Sequence, residues 1–217
     1  MKQYNGFDDK KCSRCVVKNK ISNQLALLKE KKRLTVSAYE EAMKEVSSKI
    51  ARAEEKTLLG IEGSYSKDFF QTYFKGMNWQ RRMPRAKIDE YNILLDMGYT
   101  FLFNFVDALL RLYGFDTYKG FYHKLFFQRK SLPCDIMEPF RCLIDRQLLK
   151  SFNLGQINEK DFDWENDRYY LKYENSQKYA EFFLSAIIAR KEDIFNYVKS
   201  FYRYAMGAQK DFPYFTL

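Results

Sequence analysis

Apolar side chains recur at helical spacing along most of the chain, and this pattern predicts a mostly α-helical protein. Between Cys12 and Lys32 the apolar residues form one stripe while lysine and arginine occupy other faces, which is typical of a basic amphipathic helix. A second helix is predicted to begin at a cap formed by Thr35 or Ser37 and to end near Leu59.

The widest apolar surface lies between Glu90 and Tyr113 and predicts the central core helix. Asp89 is placed to cap this helix, and Asn92 is either a core hydrogen-bonding residue or a clamp on nearby backbone. Later helices are predicted to continue beyond Arg141 to about residue 152, and to cover residues 176–189 and 193–206.

The remaining pattern offers little material for a β fold, with only four prolines and nine glycines in 217 residues. The segment 161–173 alternates around Tyr169, Leu171 and Tyr173 and predicts one short β-hairpin. We therefore expect an α-helical domain over residues 11–206, an N-terminal extension over residues 1–10, and an aromatic tail over residues 207–217. This tail is too apolar to stay free, so it should dock on the protein body or on a partner.

The composition indicates the cellular compartment in which the protein is expected. Apolar residues make up 46% of the chain, enough for a packed core, but no uninterrupted apolar run approaches the length of a membrane span and none near the N-terminus suits a signal peptide. We expect a cytoplasmic protein without a membrane partner. Four cysteines do not make a disulfide framework; Cys12 and Cys15 are either ordinary thiols or half of a zinc site completed by Cys134 and Cys142.

The charge balance points to a polyanionic partner. There are 37 lysines and arginines against 28 aspartates and glutamates, a net charge of +9, and counterion release from phosphates makes nucleic acid the leading candidate. The segment WQRRMPRAK, residues 79–87, is either a phosphate-holding loop or an ordinary solvated one.

Candidate metal chemistry lies between Gly120 and Arg141. His123, the only histidine, precedes Asp135 and Glu138, whose i, i+3 spacing puts both carboxylates on one helix face, close enough to share a divalent ion. Pro139 should kink that helix and leave the Asp135 carbonyl free. The alternative is surface chemistry of no consequence.

Another acid, Glu62, lies between glycines in the sequence Gly60-Ile61-Glu62-Gly63, which is predicted to interrupt the helical pattern. Glycines permit close approach of backbone or ligand, so the acid is either deliberately placed or simply favourable to the dipole of the following helix.

Several of these segments, in this order, resemble the CRISPR-associated spacer-acquisition integrases, the first of the universal Cas proteins. The resemblance is carried by the GIEG sequence, then RRMPRAKIDEYNILLDMGYTFL, the turn at residues 120–123, and SLPCDIMEPFR with Asp145 just beyond it. It extends from about Cys12 to Ala205 and corresponds to the helical catalytic domain of that family.

The resemblance implies a metal site held by Glu62, His123 and Glu138, with Asp135 as a second acid beside the ion. Hard carboxylate oxygens with one imidazole suit Mg²⁺ or Mn²⁺. The implied reaction is transesterification, in which the 3′ hydroxyl of a short donor DNA (a prespacer) attacks the edge of a CRISPR repeat, with related endonuclease activity. DNA binding is expected of these cations: Arg14, Lys18, Arg81, Arg82, Arg85 and Lys87.

The chain departs from the family pattern at its front, because it starts about where the usual N-terminal β domain would end. It resembles a compact member, and we expect a homodimer or homotetramer that binds double-stranded prespacer and repeat DNA, with the second universal Cas protein dispensable and donors shorter than usual. Two alternatives stay open: a branched-DNA repair nuclease, and a non-catalytic basic helical DNA-binding or assembly module.

Overall fold

The structure, a computed structural model, describes residues 3, 8–77, 79, 81–123 and 128–217. The helices are α1 (Asp9–Glu30), α2 (Val36–Ala51), α3 (Glu55–Tyr73), α4 (Glu90–Leu112), α5 (Ser131–Met137), α6 (Arg141–Asn153), α7 (Tyr173–Ile188) and α8 (Lys191–Ala205). Short 3-10 turns cover Glu138–Phe140 and Glu159–Asp161, and the strands are β1 (Phe162–Glu165) and β2 (Arg168–Leu171). The predicted mostly α fold is confirmed.

The predicted hairpin is present as two antiparallel strands, with Phe162 paired to Leu171 and Glu165 to Arg168. Asn166 and Asp167 form its tip with positive φ angles of 50° and 58°, which asparagine and aspartate tolerate better than most residues. The hairpin is bonded to the basic loop, the segment of residues 79–87, because the Tyr169 amide donates to the Lys87 carbonyl over 2.9 Å.

Helix α1 is more deeply buried than an amphipathic surface helix. Besides apolar residues such as Val16 and Ile21, it buries a row of polar side chains: Ser13, Asn19, Ser22, Asn23 and Gln24. Because α2, α3 and the 3-10 turn at Glu138–Phe140 pack around it, α1 has little of the free basic face that its charge pattern predicted.

The predicted second helix is divided. Thr35 caps α2 as expected, by accepting a hydrogen bond from the Ala38 amide, but the helix ends at Ala51 rather than near Leu59. The break is fixed by Arg14, whose guanidinium donates twice to the carbonyl of the buried Ala53, at 2.8 and 3.0 Å.

Helix α3 then begins and runs straight through Gly60 and Gly63, so the predicted interruption there is wrong. Neither glycine has a positive φ, and a Cβ added at either would meet nothing within 4 Å. Nothing in the backbone therefore requires a turn at the GIEG sequence, and Glu62 projects from a continuous helix.

Helix α4 is the core helix that the sequence predicted. Asp89 caps it by accepting from the Asn92 amide, and Gly98 permits close packing, since a Cβ there would lie 2.5 Å from Ile144 and 2.8 Å from Phe183. By length and composition α4 could cross a membrane, with a mean hydropathy of 1.5, but half of its most apolar window is buried inside the protein. Core helices of globular proteins have the same character.

The C-terminal tail docks on the protein body, one of the two outcomes expected for it. Phe215 is buried, and its amide and carbonyl exchange hydrogen bonds of 2.8 and 2.6 Å with the side chain of Asn19 on α1. The Phe215 ring packs against Phe140 at a centroid distance of 4.6 Å. The division into three segments stays a prediction, and most of residues 1–10 lie outside the described residues.

Candidate active site

A tight hydrogen-bonded unit surrounds Asp135. Its carboxylate is fully buried and accepts from the backbone amides of Phe121, Tyr122 and His123 at 2.7, 3.0 and 2.9 Å. Its Oδ1 also lies 2.6 Å from Nδ1 of the His123 imidazole. Both oxygens of Asp135 are therefore used by the turn at residues 120–123 and by His123, and its place as a second acid beside an ion stays a prediction.

Gly120 is required where the turn meets α5. A Cβ at this position would lie 2.6 Å from Asp135 Oδ2 and 2.8 Å from Ser131 Cβ, so no side chain fits without displacing the carboxylate. The glycine thus lets the backbone amides reach Asp135.

This unit also fixes the orientation of His123. When a carboxylate binds one imidazole nitrogen, the other nitrogen is left as the ligand-binding atom, as in metal sites where a second carboxylate orients a histidine. Nδ1 is held by Asp135, which leaves Nε2 as the nitrogen for a ligand. The His123 side chain is 23% exposed. Residues 124–127, which belong to the segment between Gly120 and Arg141 where metal chemistry was predicted, lie outside the described residues.

The acids Glu62 and Glu138 converge on one cation. Lys20, from α1, forms ion pairs with Oε1 of Glu62 and, at 2.8 Å, with Oε2 of Glu138. Arg141 adds a second cation 3.0 Å from the same Glu138 oxygen, and Ser66 donates to Glu62 over 3.0 Å. Two helices distant in sequence, α1 and α3, thus meet the 3-10 turn that carries Glu138.

Charge dominates the chemistry of Glu138. Burial would raise the pKa of its carboxyl, but the positive charges of Arg141, Lys20 and His123 outweigh burial and hold that pKa at about 2. Glu138 is therefore an anion across the physiological range.

The backbone at Pro139 is bent as predicted, because α5 changes to a 3-10 turn before α6 begins. The Asp135 carbonyl is not left free, since it accepts from the Glu138 amide at the end of α5. The Pro139 carbonyl, which is buried, accepts from the Asn23 side chain of α1 at 3.0 Å. The bend thereby locks Glu138 against α1.

The types of donor in these residues, rather than their present positions, suit a hard divalent cation. Among the described residues no three histidine, cysteine or acidic side chains lie close enough to hold a metal as they stand. Glu62 and Glu138 nevertheless share one positively charged nitrogen, that of Lys20. Two carboxylates and one imidazole are ligands that Mg²⁺ and Mn²⁺ accept.

A further buried acid, Asp145, lies beneath these residues. The Tyr99 hydroxyl donates to its Oδ1 over 2.5 Å, while its buried Oδ2 has no hydrogen-bond partner among the described residues. Burial raises the pKa of Asp145 to about 7, although the Tyr99 bond and the charge of Arg141 act the other way. Asp145 can therefore change protonation near neutral pH.

Glu62, Glu138 and Asp145 line one side of a groove of about 1700 Å³ that is open to solvent, whereas His123 lines a neighbouring smaller cavity of about 220 Å³. Its volume exceeds the ~300–1,000 Å³ of common small-molecule sites, which suits a polymer better than a metabolite. The cations of the groove outnumber its acids: Lys20, Lys67, Arg81, Arg82, Arg85, Arg129, Lys130 and Arg141 against Glu62, Asp96, Glu138 and Asp145.

In the basic loop one arginine holds the loop on α4, and two others are exposed to solvent. Arg82 is nearly buried, donates to Asn92 at 2.8 Å and forms an ion pair with Asp96, so it holds the loop on α4. Asn92 also accepts from the Met83 amide and donates to the Arg81 carbonyl, the backbone clamp considered from the sequence. Arg81 and Arg85 are exposed beside the groove. Asn78 and Gln80 are outside the described residues.

The other three cations expected to bind DNA are differently placed. Arg14 is engaged with the Ala53 carbonyl, Lys18 is half-buried on α1, and the Lys87 ammonium lies 4.9 Å from the centroid of the Tyr170 ring. None of the three lines the groove that Glu62 and Glu138 share.

The cysteines are four free thiols. Cys12 and Cys142 are buried, and burial raises the pKa of Cys12 to about 12, so this thiol stays protonated. Within the described part of the chain no cluster of the kind a zinc site needs is formed, and the thiol interpretation is favoured.

Lys20 and Arg141 were not predicted as members of the site. The signal for Lys20 was the row of polar residues around it inside an otherwise apolar helix. Polar side chains on a helix that is buried on several faces must have partners, and a lysine among them must face an acid.

Comparison with known proteins agrees with the resemblance. Residues 1–184 match the family model described as CRISPR associated protein Cas1. CRISPR-associated endonuclease Cas1 1 of Thermodesulfovibrio yellowstonii is 32% identical over 82% of this chain and 60% of its own length. CRISPR-associated endonuclease Cas1 of Leptospira interrogans is 29% identical over 85% of this chain and 78% of its own length.

Solved structures share the fold. A Cas1 protein from Thermotoga maritima matches with a TM-score of 0.85 at 21% identity, over 99% of this chain and 72% of that one. The partial Cas6-RT-Cas1–Cas2 complex contains a chain that matches with a TM-score of 0.86 at 27% identity, over 99% of this chain and 72% of that one. The chain spans about three fifths of the first relative's length and about seven tenths of these structures.

Proposed function

The chain belongs to the CRISPR-associated Cas1 family, and from that membership we propose that it is a metal-dependent DNA integrase of CRISPR adaptation. It joins the 3′-hydroxyl ends of short donor DNA to a CRISPR repeat by transesterification. The observation that carries this proposal is the convergence of Glu62 and Glu138 on one cation in a cationic groove.

Mg²⁺ or Mn²⁺, held by Glu62, Glu138 and His123, would polarise the phosphodiester and stabilise the leaving 3′ oxygen. The protein's own residues do the positioning. Asp135 fixes the His123 ring, Arg141 holds the Glu138 carboxylate, and the polar floor of the groove is anchored on α1. Precise placement of this kind supplies much of the catalysis in phosphoryl transfer.

The groove cations bind the donor and target phosphates. Arg81 and Arg85 are exposed and available, whereas Arg82 keeps the loop in place for them. An integrase must process two donor ends, so we propose that at least two copies act together as a dimer or tetramer. The Cas1–Cas2 assemblies among the solved relatives are in keeping with a multi-subunit machine.

A second candidate activity follows from the names of the curated relatives, which call them endonucleases. Water in place of the 3′ hydroxyl would make the same site cleave DNA rather than join it. Branched DNA in repair is the alternative substrate class.

The test incubates labelled short DNA with a supercoiled plasmid carrying the repeat, in Mg²⁺, in Mn²⁺ and in chelator. The matched control is the same donor with its 3′ hydroxyl removed. Joined strands that require both the hydroxyl and the metal support the integrase. Cleavage without joining would show a nuclease, and DNA binding without either reaction would show a non-catalytic module.

A further inference from the structure

Lys20 occupies an unusual position for a lysine. Its side chain is 12% exposed, and its ammonium contacts Glu62 and Glu138, the two acids proposed to hold the metal. The stem leaves α1, whose neighbouring polar residues are themselves hydrogen-bonded, so the base of the side chain is firmly placed. Its ammonium end lines the open groove.

An ammonium group and a divalent cation cannot both lie between these two carboxylates. The Lys20 nitrogen is 2.8 Å from Glu138, and a metal bound by the same oxygens would lie at about 2.1 Å from them. Two cations at such separation repel by several kcal/mol in a partly buried site of low effective dielectric, roughly 4 kcal/mol at 4 Å for unit charges. One cation must therefore leave when the other arrives.

We propose that Lys20 is an exchangeable counter-ion of the metal site. Without metal it keeps Glu62 and Glu138 together and, with Arg141, balances their two negative charges. Metal binding displaces its ammonium, which the flexible four-carbon stem allows to swing into the groove, where the DNA phosphates of the proposed function would lie. The binding of the metal thus also releases the Lys20 ammonium to bind a DNA phosphate. The inference rests on the metal site of that proposed function.

The exchange is tested on the full chain without DNA by titrating Mn²⁺ and measuring the free ion by electron paramagnetic resonance. Lys20→Met removes the competing cation but keeps an unbranched stem. Its Mn²⁺ affinity should rise about tenfold, the equivalent of about 1.4 kcal/mol for the removal of one competing ion pair. Lys44→Met, which changes an exposed lysine of α2 outside this groove, should leave the affinity unchanged.

Thermal unfolding supplies a second readout. Without metal, Lys20→Met should melt below the wild type, because two neighbouring acids lose their shared cation. Saturating Mn²⁺ should restore more stability to this variant than it adds to the wild type. If Lys20→Met is unstable without metal, Lys20→Arg keeps the counter-ion and should bind Mn²⁺ no more tightly than the wild type.

Unchanged or weaker Mn²⁺ binding by folded Lys20→Met would overturn the exchange and make Lys20 a structural or ligand-supporting residue. Failure of the exchange is distinguishable from failure of the function. If Glu138→Gln bound Mn²⁺ as the wild type does, the metal site itself would be wrong. If Lys20→Met gained affinity while the wild type joined no DNA, the exchange would stand and the integrase proposal would fall.

Discussion

Two buried aspartates on the neighbouring helices α5 and α6 are held in opposite ways. Asp135 accepts three backbone amides and the His123 imidazole, so every oxygen has a donor. Asp145 is equally buried, but within the described part of the chain it has one donor, the Tyr99 hydroxyl, and one oxygen without a partner. Burial alone thus does not decide the role of an acid. The donors around it do, and they make Asp135 a fixed support and Asp145 a titratable group.

The sharpest test of this comparison makes the same substitution at both sites. Asp135→Asn should destabilise the protein by about 3–5 kcal/mol, because an amide NH₂ would face backbone donors and leave them unsatisfied in the interior. It should also lower metal affinity by about 10–100-fold, since His123 loses its orienting partner. Denaturant unfolding and Mn²⁺ titration check the two effects.

Above neutral pH, Asp145→Asn should raise the stability of the protein, whereas Asp135→Asn lowers it. The pKa of Asp145 in the folded protein, about 7, lies above its ordinary value of 3.8, so between these two pH values the folded state keeps a proton that the unfolded state releases. Wild-type stability therefore falls as pH rises from about 4 to 7 and stays lower above that range.

The variant keeps an oxygen that can accept from Tyr99 but has no charge to bury. At pH 8 it should be more stable than the wild type by about 2–4 kcal/mol, the upper value corresponding to three pKa units. Urea unfolding between pH 4 and pH 8 measures this. Equal pH slopes for the two proteins would remove Asp145 from the set of titrating groups.

Glycine-to-alanine substitutions compare the crowded turn at Gly120 with the exposed helix position at Gly60. Gly120→Ala should cost about 1–3 kcal/mol and reduce DNA joining, because its Cβ would push on Asp135. Gly60→Ala is the matched control, since nothing lies within 4 Å of a Cβ there. It should stabilise helix α3 by about 0.5–1 kcal/mol. Equal melting temperatures for both variants would contradict the close approach at the turn.

The smallest expected effect concerns the basic loop. Arg81→Ala and Arg85→Ala together should reduce the log–log salt slope of DNA binding by about one for each phosphate that the loop no longer binds, with little change in stability. Arg82→Ala should instead lower the melting temperature, because this residue anchors the loop to Asn92 and Asp96. An unchanged slope in the double variant would place the DNA elsewhere.

Local pattern predicted much of the fold. The cap at Asp89, the core helix and the hairpin each depend on neighbours in sequence, and they lie within a few residues of their expected bounds. The end of α2 was missed because it is set by Arg14, a residue far away along the chain. The GIEG sequence was expected to interrupt the helix because glycine is common in turns. Helix α3 nevertheless continues through both glycines, which lie at exposed positions.

The candidate site was predictable only in part for the same reason. Glu62, His123 and Glu138 were marked by residue type and by the family resemblance, but nothing local indicates which acid faces an ion and which supports a histidine. That distinction arises from the turn amides, which meet Asp135 only when α5 packs beside them. Lys20 was missed because its partners come from two other segments.

The most direct test of the metal-site account is the initial rate of donor joining as a function of Mg²⁺ concentration, for the wild type and Glu138→Gln. The substitution preserves shape but removes the anion, and loss of such an electrostatic group should cost on the order of 10²–10³-fold or more in rate. We expect wild-type joining that saturates with Mg²⁺ and is absent in chelator, with no comparable response in the variant. Joining in chelator, or a Glu138→Gln curve that overlays the wild type, would contradict the account.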